Sequence, residues 1–244
     1  MKTFTIGKKK IVLKEEWMVG FITTWIVGLL AHAYRFFNFL PIWDSIYNFT
    51  GVGSTYTLGR WFLGYAGLIT SMFDLPWVNG AFSLFYISIV VILLTEMFEI
   101  KNKGMIVLCA AIFVSFPTVV SSFAYMYTAD AYLLAFLLAT LAVYLTWCVK
   151  KWGTIAGMVC LAFAMGIYQA YATVAIVLVL LYIIRQFVIE KLDFLEAVRK
   201  DLKYLGMLVG GAVLYAVILK ITLIRYNITL PGNRCFGDHV IRAV

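Results

Sequence analysis

Seven long apolar segments, separated by connections that hold most of the charges, make up the greater part of the chain. Each segment approaches the length of about 20 mostly apolar residues that a helix needs to cross the hydrocarbon core of a bilayer. The pattern therefore predicts seven membrane-spanning helices, at residues 16–34, 78–98, 104–122, 131–149, 153–169, 171–189 and 205–224.

An eighth apolar segment, residues 57–73, is short and contains Arg60. Its placement decides on which side of the membrane every later connection lies. Cytoplasmic connections are enriched in Lys and Arg, and most of the 20 basic residues fall on the side of the N-terminus only if residues 57–73 do not cross. We therefore expect an interfacial or re-entrant helix there, within a long external loop at 35–77.

The same topology assigns the other connections of a single transmembrane domain. Residues 1–15 form a cytoplasmic tail, and residues 225–244 form an external tail. Residues 190–204 alternate charged and apolar positions at helical spacing, which predicts an amphipathic helix on the cytoplasmic surface; a solvated linker helix is the alternative. Two glycine pairs at i, i+4 spacing indicate close helix packing: Gly153 with Gly157, and Gly206 with Gly210.

Composition supports an all-α integral membrane protein. Hydrophobic residues are 64% and charged residues 13% of the chain, against roughly 45–50% and about 25% in soluble domains. This excludes a soluble enzyme, a disordered tail and a secreted disulfide scaffold. The four cysteines have no metal-binding spacing. The net charge of +8 follows the predicted topology, so we expect membrane lipids, and no nucleic acid, as partners.

The external face is where chemistry is expected, because few charges lie there among many aromatic residues. In the first loop, Asp44 stands beside Trp43 and close to Tyr47. Partial removal of a carboxylate from water raises its basicity and suits a general base acting on a hydroxyl. Arg60 can bind a phosphate through two hydrogen bonds. The alternative is a polar loop with a helix cap at Asp44 and an interfacial Arg60.

The second external turn, residues 123–132, is rich in tyrosine and contains Asp130. A helix cap at Asp130 would explain the acid, and an aromatic belt at the membrane surface would explain Tyr125 and Tyr127. The functional alternative is a surface that binds a sugar, since carbohydrate sites combine polar groups with aromatic rings.

The third external turn, residues 166–171, joins two apolar helices almost directly and places Tyr168 and Gln169 at the external rim. The Gln169 amide would bind a sugar hydroxyl or satisfy a neighbouring helix. Lys220 lies near the external end of the last span, where it would extend to the interface or provide a second cation for a phosphate.

Four short motifs stand in order along this topology: WDSIYN at 43–48, GRW at 59–61, YMYTADAY at 125–132 and GIYQAY at 166–171. Together they resemble the Gtr-type glucosyltransferase family of bacteria and their phages, within the GT-C class of membrane glycosyltransferases. The resemblance covers residue 16 to about residue 190, most of the chain.

The resemblance implies a GT-C-like core of about seven transmembrane helices, with a long external first loop that carries short juxtamembrane helices. It implies an inverting hexosyltransferase of the bacterial inner membrane, with a cytoplasmic N-terminus and an external active site. The donor would be a polyprenyl-phosphate sugar, such as polyprenyl-phosphate glucose. The acceptor would be a lipid-linked or surface glycan of the O-antigen kind.

The resemblance also implies roles for individual residues. Asp44 would be the catalytic base, and Asp130 a second acid that orients the acceptor or helps to bind a metal. No cofactor is required, and a divalent Mg²⁺ or Mn²⁺ ion is optional. Two groups of binding residues complete the expected site: Arg60 and Lys220 for the donor phosphate, and Tyr125, Tyr127, Tyr168 and Gln169 for the sugar and acceptor.

Two other functions fit the same residues. A flippase or transporter subunit for lipid-linked sugars would need the phosphate and sugar contacts but no base, and polar residues would then continue through the membrane, where they are sparse. A structural subunit with a catalytic partner is the third hypothesis. Family members are longer, with further spans after this core, so we expect a short member, a truncated gene or a fragment; residues 231–244 carry no recognisable motif.

Overall fold

The structure is a computed structural model that describes residues 2–6, 9–47, 55–70, 73–191 and 194–228. It begins with an antiparallel two-stranded hairpin that the sequence analysis did not predict, and it is otherwise helical. The strands are β1 (Lys2–Ile6) and β2 (Lys9–Leu13). The helices are α1 (Glu15–Phe37), α2 (Trp43–Tyr47), α3 (Leu63–Ala66), α4 (Pro76–Met97), α5 (Lys103–Ser115), α6 (Pro117–Ser122), α7 (Met126–Cys148), α8 (Gly153–Ile167), α9 (Ala172–Arg185) and α10 (Phe194–Arg225).

The seven predicted spans fall largely within helices, but the third, residues 104–122, is divided between α5 and α6. Among the described residues, five stretches are long and apolar enough to cross a membrane, and α8 is a shorter apolar helix. The stretches are Glu15–Phe37, Pro76–Met97, Lys103–Cys148, Gln169–Ile189 and Arg199–Arg225. The third of them contains α5, α6 and α7 in succession. The helices are therefore compatible with a multi-pass membrane protein.

The apolar segment around Arg60 forms no long helix in the described part of the first loop. Residues 55–59 form turns, and α3 is followed directly by one 3₁₀ turn, Gly67–Ile69. A helix of four residues rises only about 6 Å, far less than the bilayer thickness. This agrees with a segment that does not cross.

Contacts between α1 and α4 define two ends of the helix bundle. At one end, Lys14 Nζ lies 2.6 Å from Glu96 Oε2. At the other end, Gly80 of α4 packs directly against the ring of Phe36, near the end of α1. The two helices are therefore antiparallel. We call these ends the Lys14 end and the Arg60 end, since Arg60 lies at the second.

α7 lies at the centre, in contact with α4, α8, α9 and α10. Its interfaces are lined with fully buried alanines, which are Ala129, Ala131, Ala135, Ala139 and Ala142. Small side chains allow neighbouring helices to approach closely. Because α7 begins at Met126, residues 126–132, which the sequence places in an external turn, are instead inside the first turns of this central helix.

The last helix differs from the prediction in its length. Residues 194–204 are helical as expected, but they continue without a break into the seventh span to give α10, 32 residues long. Lys191, in a left-handed conformation with φ 52°, separates α10 from the π-helix Gln186–Glu190. Asp201 is 6% exposed and accepts a hydrogen bond from Gln186 Nε2 (3.2 Å). This part of the chain thus packs into the bundle.

Three of the four paired glycines lie where a side chain would collide with a neighbour. A Cβ atom on Gly157 would stand 2.7 Å from the carbonyl oxygen of Ala142, and one on Gly210 would stand 2.6 Å from Met158 Sδ. Gly153 is similarly close to the backbone of α7. Gly206 has no neighbour within 4 Å, so the packing prediction fails at that position.

We expect Gly157→Ala to lower the free energy of unfolding by about 1–3 kcal/mol, because a backbone carbonyl cannot move aside as a side chain can. Gly206→Ala is the matched control, since it enters open space and gains up to about 1 kcal/mol of helix propensity. The measurement is the Tm of each purified variant in the same detergent. Equal shifts of Tm in the two variants would contradict the packing of α7 against α8.

Candidate functional site

A tight turn carries Arg60 at the edge of the bundle. The Gly59 N–H donates to Tyr56 O (3.0 Å), and the Arg60 N–H donates to Thr55 O (2.8 Å). Gly59 has φ +76°, a left-handed conformation that glycine adopts without steric cost. Just beyond the turn, the Phe62 N–H donates to the carbonyl oxygen of Gly166 (2.8 Å), which fixes the segment on α8.

The Arg60 guanidinium lies on tyrosines and forms no ion pair among the described residues. Its carbon Cζ stands 4.4 Å from the centroid of the Tyr168 ring. Nη1 donates to the Tyr132 hydroxyl (3.2 Å), while the buried Nε–H has no partner within the described part of the chain. Arg60 is therefore a partly buried cation with hydrogen-bonding capacity to spare.

Three tyrosines surround this cation. The Tyr132 and Tyr168 rings stack at 5.6 Å, and Tyr171 lies 6.4 Å and 6.1 Å from them. Tyr132 comes from α7, and the other two from the connection between α8 and α9. Tyr168 was among the residues predicted for the site, whereas Tyr132 and Tyr171 were assigned no role from the sequence.

Gln169 is one of the residues predicted to bind sugar. In the structure, its amide nitrogen donates hydrogen bonds to the protein itself. Nε2 donates to Leu58 O (2.7 Å) and to the Tyr215 hydroxyl (2.9 Å). The Tyr215 hydroxyl donates in turn to the carbonyl oxygen of Gly59 (3.0 Å). Of the two possibilities that the sequence left open for Gln169, the structure favours satisfaction of a neighbouring segment.

Asp130 is the largest departure from the predicted site. It is 2% exposed in the second turn of α7, and it does not cap that helix. Oδ2 accepts from the Thr70 hydroxyl (3.1 Å), and Oδ1 accepts from Asn79 Nδ2 (3.4 Å). The carboxylate therefore fastens the end of the first loop to α4 and α7, and it presents no open surface to an acceptor.

Asn79 and Arg35, which the sequence analysis did not single out, complete the framework at this end. Asn79 Nδ2 also donates to Met126 O (2.8 Å), and Asn79 Oδ1 accepts from the Leu75 N–H (3.2 Å). Arg35 donates to three backbone carbonyls, among them Phe123 O (2.8 Å from Nε). Unlike Arg60, Arg35 has each of its nitrogens engaged by the protein.

Asp44 lies on the exposed side of the short helix α2, so protein packing does not bury it. Its neighbour Ser45 is buried, and Ser45 also lies close to Asp74. Burial raises the pKa of the Asp74 carboxyl, and the nearby charge of Arg35 opposes that rise. Asp44 is thus the accessible acid beside this group, whereas Asp74 and Asp130 are buried.

The remaining predicted site residues differ in their exposure and in the face of the bundle on which they lie. Tyr125 is 42% exposed just before α7, where a ligand can reach it, whereas Tyr127 is 8% exposed and packs inside the protein. Lys220 is exposed on α10. Leu219, the residue before it, faces Gly59, and one helical residue turns the side-chain direction by about 100°. Lys220 therefore does not share the face of α10 that contacts the Arg60 turn.

No group of three or more His, Cys, Asp or Glu side chains within the described ranges is arranged to hold a metal ion. A surface groove lies far from this site, at the Lys14 end between α1 and α5, where Met18, Ile22 and Lys103 line it. This groove therefore lies at the opposite end of the bundle from Arg60.

The chain is similar to a known protein family. The family described as glucosyl transferase GtrII matches residues 33–232, which include every element of the Arg60 end. No curated protein and no solved structure is significantly similar to the chain. Because the match covers more than half of the sequence, the chain belongs to the GtrII glucosyl transferase family.

Proposed function

We propose that the chain transfers glucose from a polyprenyl-phosphate donor to a hydroxyl of a lipid-linked or surface glycan, at the Arg60 end. The observation that carries this proposal is the Arg60 guanidinium, which is partly buried, stacked on Tyr168 and without an acidic partner among the described residues. Family membership supports transfer of a glucosyl group.

A phosphate is the anion that best fits the hydrogen-bonding capacity that the Arg60 guanidinium does not use within the protein. A guanidinium binds phosphate through parallel N–H···O bonds, which are stronger than neutral hydrogen bonds. Arg60 Nη1 is bonded to the Tyr132 hydroxyl, whereas the buried Nε–H has no partner among the described residues. The Tyr168 ring under the guanidinium holds its plane in one orientation, so little freedom is lost when an anion binds.

A lipid-linked donor fits the surroundings of this arginine. Exposed apolar side chains lie on the same segment: Leu58 is 56%, Leu68 65% and Ile69 59% exposed. Such a surface suits a polyprenyl chain, which stays in the hydrocarbon while its phosphate reaches the rim. The substrate then never leaves the bilayer, and the protein needs only to bind its head group.

In the reaction, Asp44 accepts the proton of the acceptor hydroxyl. The hydroxyl oxygen bonds to the anomeric carbon as the bond from that carbon to the phosphate oxygen breaks. The polyprenyl phosphate leaves with the bonding electrons, and Arg60 stabilises the charge that grows on it. Attack from the side opposite the phosphate inverts the anomeric centre. Asp44 is the acid proposed for this role because it is exposed, whereas Asp130 is enclosed.

We place the Arg60 end outside the bacterial inner membrane and the Lys14 end in the cytoplasm. The connections at the Lys14 end carry Lys101, Lys103, Lys150 and Lys151, in agreement with the excess of positive charge in cytoplasmic loops. The acceptor glycan is then reached from the external side.

Arg60→Lys should reduce kcat/KM for polyprenyl-phosphate glucose by about 10- to 100-fold, because a lysine retains the charge but loses the paired donors. Arg225→Lys, at an exposed arginine of the same end, is the matched control and should leave the rate within about twofold. The measurement is transfer of labelled glucose by protein in nanodiscs with a lipid-linked glycan acceptor. Equal rates for the two variants would exclude Arg60 as the phosphate ligand.

Asp44→Asn should reduce kcat by about 10²- to 10⁴-fold, the usual range for loss of a general base, and should leave donor binding unchanged. Glu196→Gln, which removes an exposed carboxylate of α10 at the Lys14 end, provides the control. The assay is single-turnover transfer with donor binding measured in parallel. Donor binding without product in the wild-type chain would instead support a lipid-linked-sugar carrier.

Asp130→Asn should lower the Tm by several degrees, since the single oxygen of the new amide can accept in place of only one of the two carboxylate oxygens that now accept from Thr70 and Asn79. Asp44→Asn should leave the Tm unchanged, because Asp44 is exposed. Thermal unfolding in one detergent compares the two variants. A stable Asp130→Asn protein that has lost transfer would show that Asp130 acts in the reaction and not in the framework.

A further inference from the structure

The geometry points to Gln169 and Tyr215 as positioning residues that hold Arg60 in its phosphate-binding orientation, so that the last helix, α10, belongs to the donor site. This inference rests on the proposed function, because it names the residues through which the Arg60 site is built. Neither residue needs to touch the substrate for this role.

A chain of hydrogen bonds links α10 to the turn that carries Arg60. Tyr215 of α10 donates to Gly59 O (3.0 Å) and accepts from Gln169 Nε2 (2.9 Å), which also donates to Leu58 O (2.7 Å). Two successive carbonyls directly before Arg60 are thereby held by side chains from separate parts of the fold. We call Gln169 and Tyr215, with the two carbonyls that they hold, the Arg60 clamp.

Gly59 packs so closely against this clamp that no side chain fits there. A Cβ atom at this position would lie 2.5 Å from Gln169 Nε2 and 2.7 Å from the Tyr215 hydroxyl. Its φ of +76° is also unfavourable for other residues. The turn therefore approaches the two polar side chains as closely as a backbone can, and only glycine satisfies both requirements.

The clamp constrains the position of the guanidinium through two parts of the structure. Gln169 is adjacent in sequence to Tyr168, whose ring lies under the guanidinium at 4.4 Å. The backbone of Arg60 follows directly on Gly59. The clamp thus fixes both the start of the arginine side chain and the ring that its end lies on, which is a geometric reason for a defined guanidinium position.

α10 is attached to this turn at a second point. The Tyr56 ring stacks on Tyr226, just past the end of α10, with ring centroids 5.1 Å apart. α10 is therefore joined to this turn both by the Tyr215 hydroxyl and by the Tyr56–Tyr226 contact.

The first experiment tests the clamp without reference to the reaction. Hydrogen exchange of the peptide covering residues 55–62 is compared between wild type and Tyr215→Phe in nanodiscs. Loss of the hydroxyl should speed exchange at the Arg60 N–H about three- to tenfold, the effect of losing one neutral hydrogen bond. Tyr34→Phe, at an exposed tyrosine of α1, should change nothing. Unchanged exchange in Tyr215→Phe overturns the inference.

The second experiment asks whether the clamp acts through Arg60. Binding of undecaprenyl phosphate, with the uncharged polyprenol as a blank, is measured for Tyr215→Phe, Arg60→Ala and the double variant. Tyr215→Phe should weaken binding about three- to tenfold in the wild-type background and have no effect once Arg60 is gone, which is the signature of coupled residues. Gln169→Leu should behave in the same way, which gives a second variant if one of them folds poorly.

The outcomes separate the inference from the proposed function. Equal weakening by Tyr215→Phe in both backgrounds overturns the positioning role while leaving Arg60 as the phosphate ligand. If Arg60→Ala itself leaves binding unchanged, the proposed phosphate site fails, whatever the exchange data show. Faster exchange together with non-additive loss of binding supports both.

Discussion

A guanidinium at the edge of a largely apolar helix bundle must have its charge and its N–H groups accommodated, and the structure of the Arg60 end follows from that requirement. Removal of a charge from water is costly unless other polar groups replace the water. Here a tyrosine face and one tyrosine hydroxyl do so in part. No carboxylate of the described residues pairs with Arg60, and we propose that an anion completes the site. The turn before Arg60 and the packing of three helices keep this arrangement in place.

Several other polar groups at the same end have partners within the protein. Asp130 and Asn79 join the first loop, α4 and α7, and Arg35 joins the end of α1 to the segment before α7. Full satisfaction of buried polar groups stabilises a fold, whereas remaining hydrogen-bonding capacity marks where a ligand is bound. By this criterion Asp130 is part of the framework, whereas Arg60 keeps hydrogen-bonding capacity at its Nε–H.

Hydrophobic patterning was sufficient to predict a largely helical chain with several stretches that can cross a membrane, and to leave residues 57–73 out of that set, because the length of an apolar run decides whether a helix can cross a bilayer. The pattern also led to Arg60, a charge in an apolar setting. It failed at Asp130, since the sequence YMYTADAY resembles a turn while its alanines and Thr128 allow a buried helical start. It also failed at Tyr215, which lies within an apolar span and meets Gly59 across 156 residues of sequence. Local periodicity contains no information about such distant partners, and the N-terminal hairpin was missed because its strands are short and basic.

We propose above all that Arg60 binds the phosphate of a polyprenyl donor. The most direct test is an experimental structure of the protein in a nanodisc with undecaprenyl phosphate bound. We expect phosphate oxygens within hydrogen-bonding distance of the Arg60 guanidinium, with the lipid chain along the apolar surface of Leu58, Leu68 and Ile69. The proposed role of Arg60 would be contradicted by a phosphate that binds elsewhere while the guanidinium stays stacked on Tyr168 with no anion beside it.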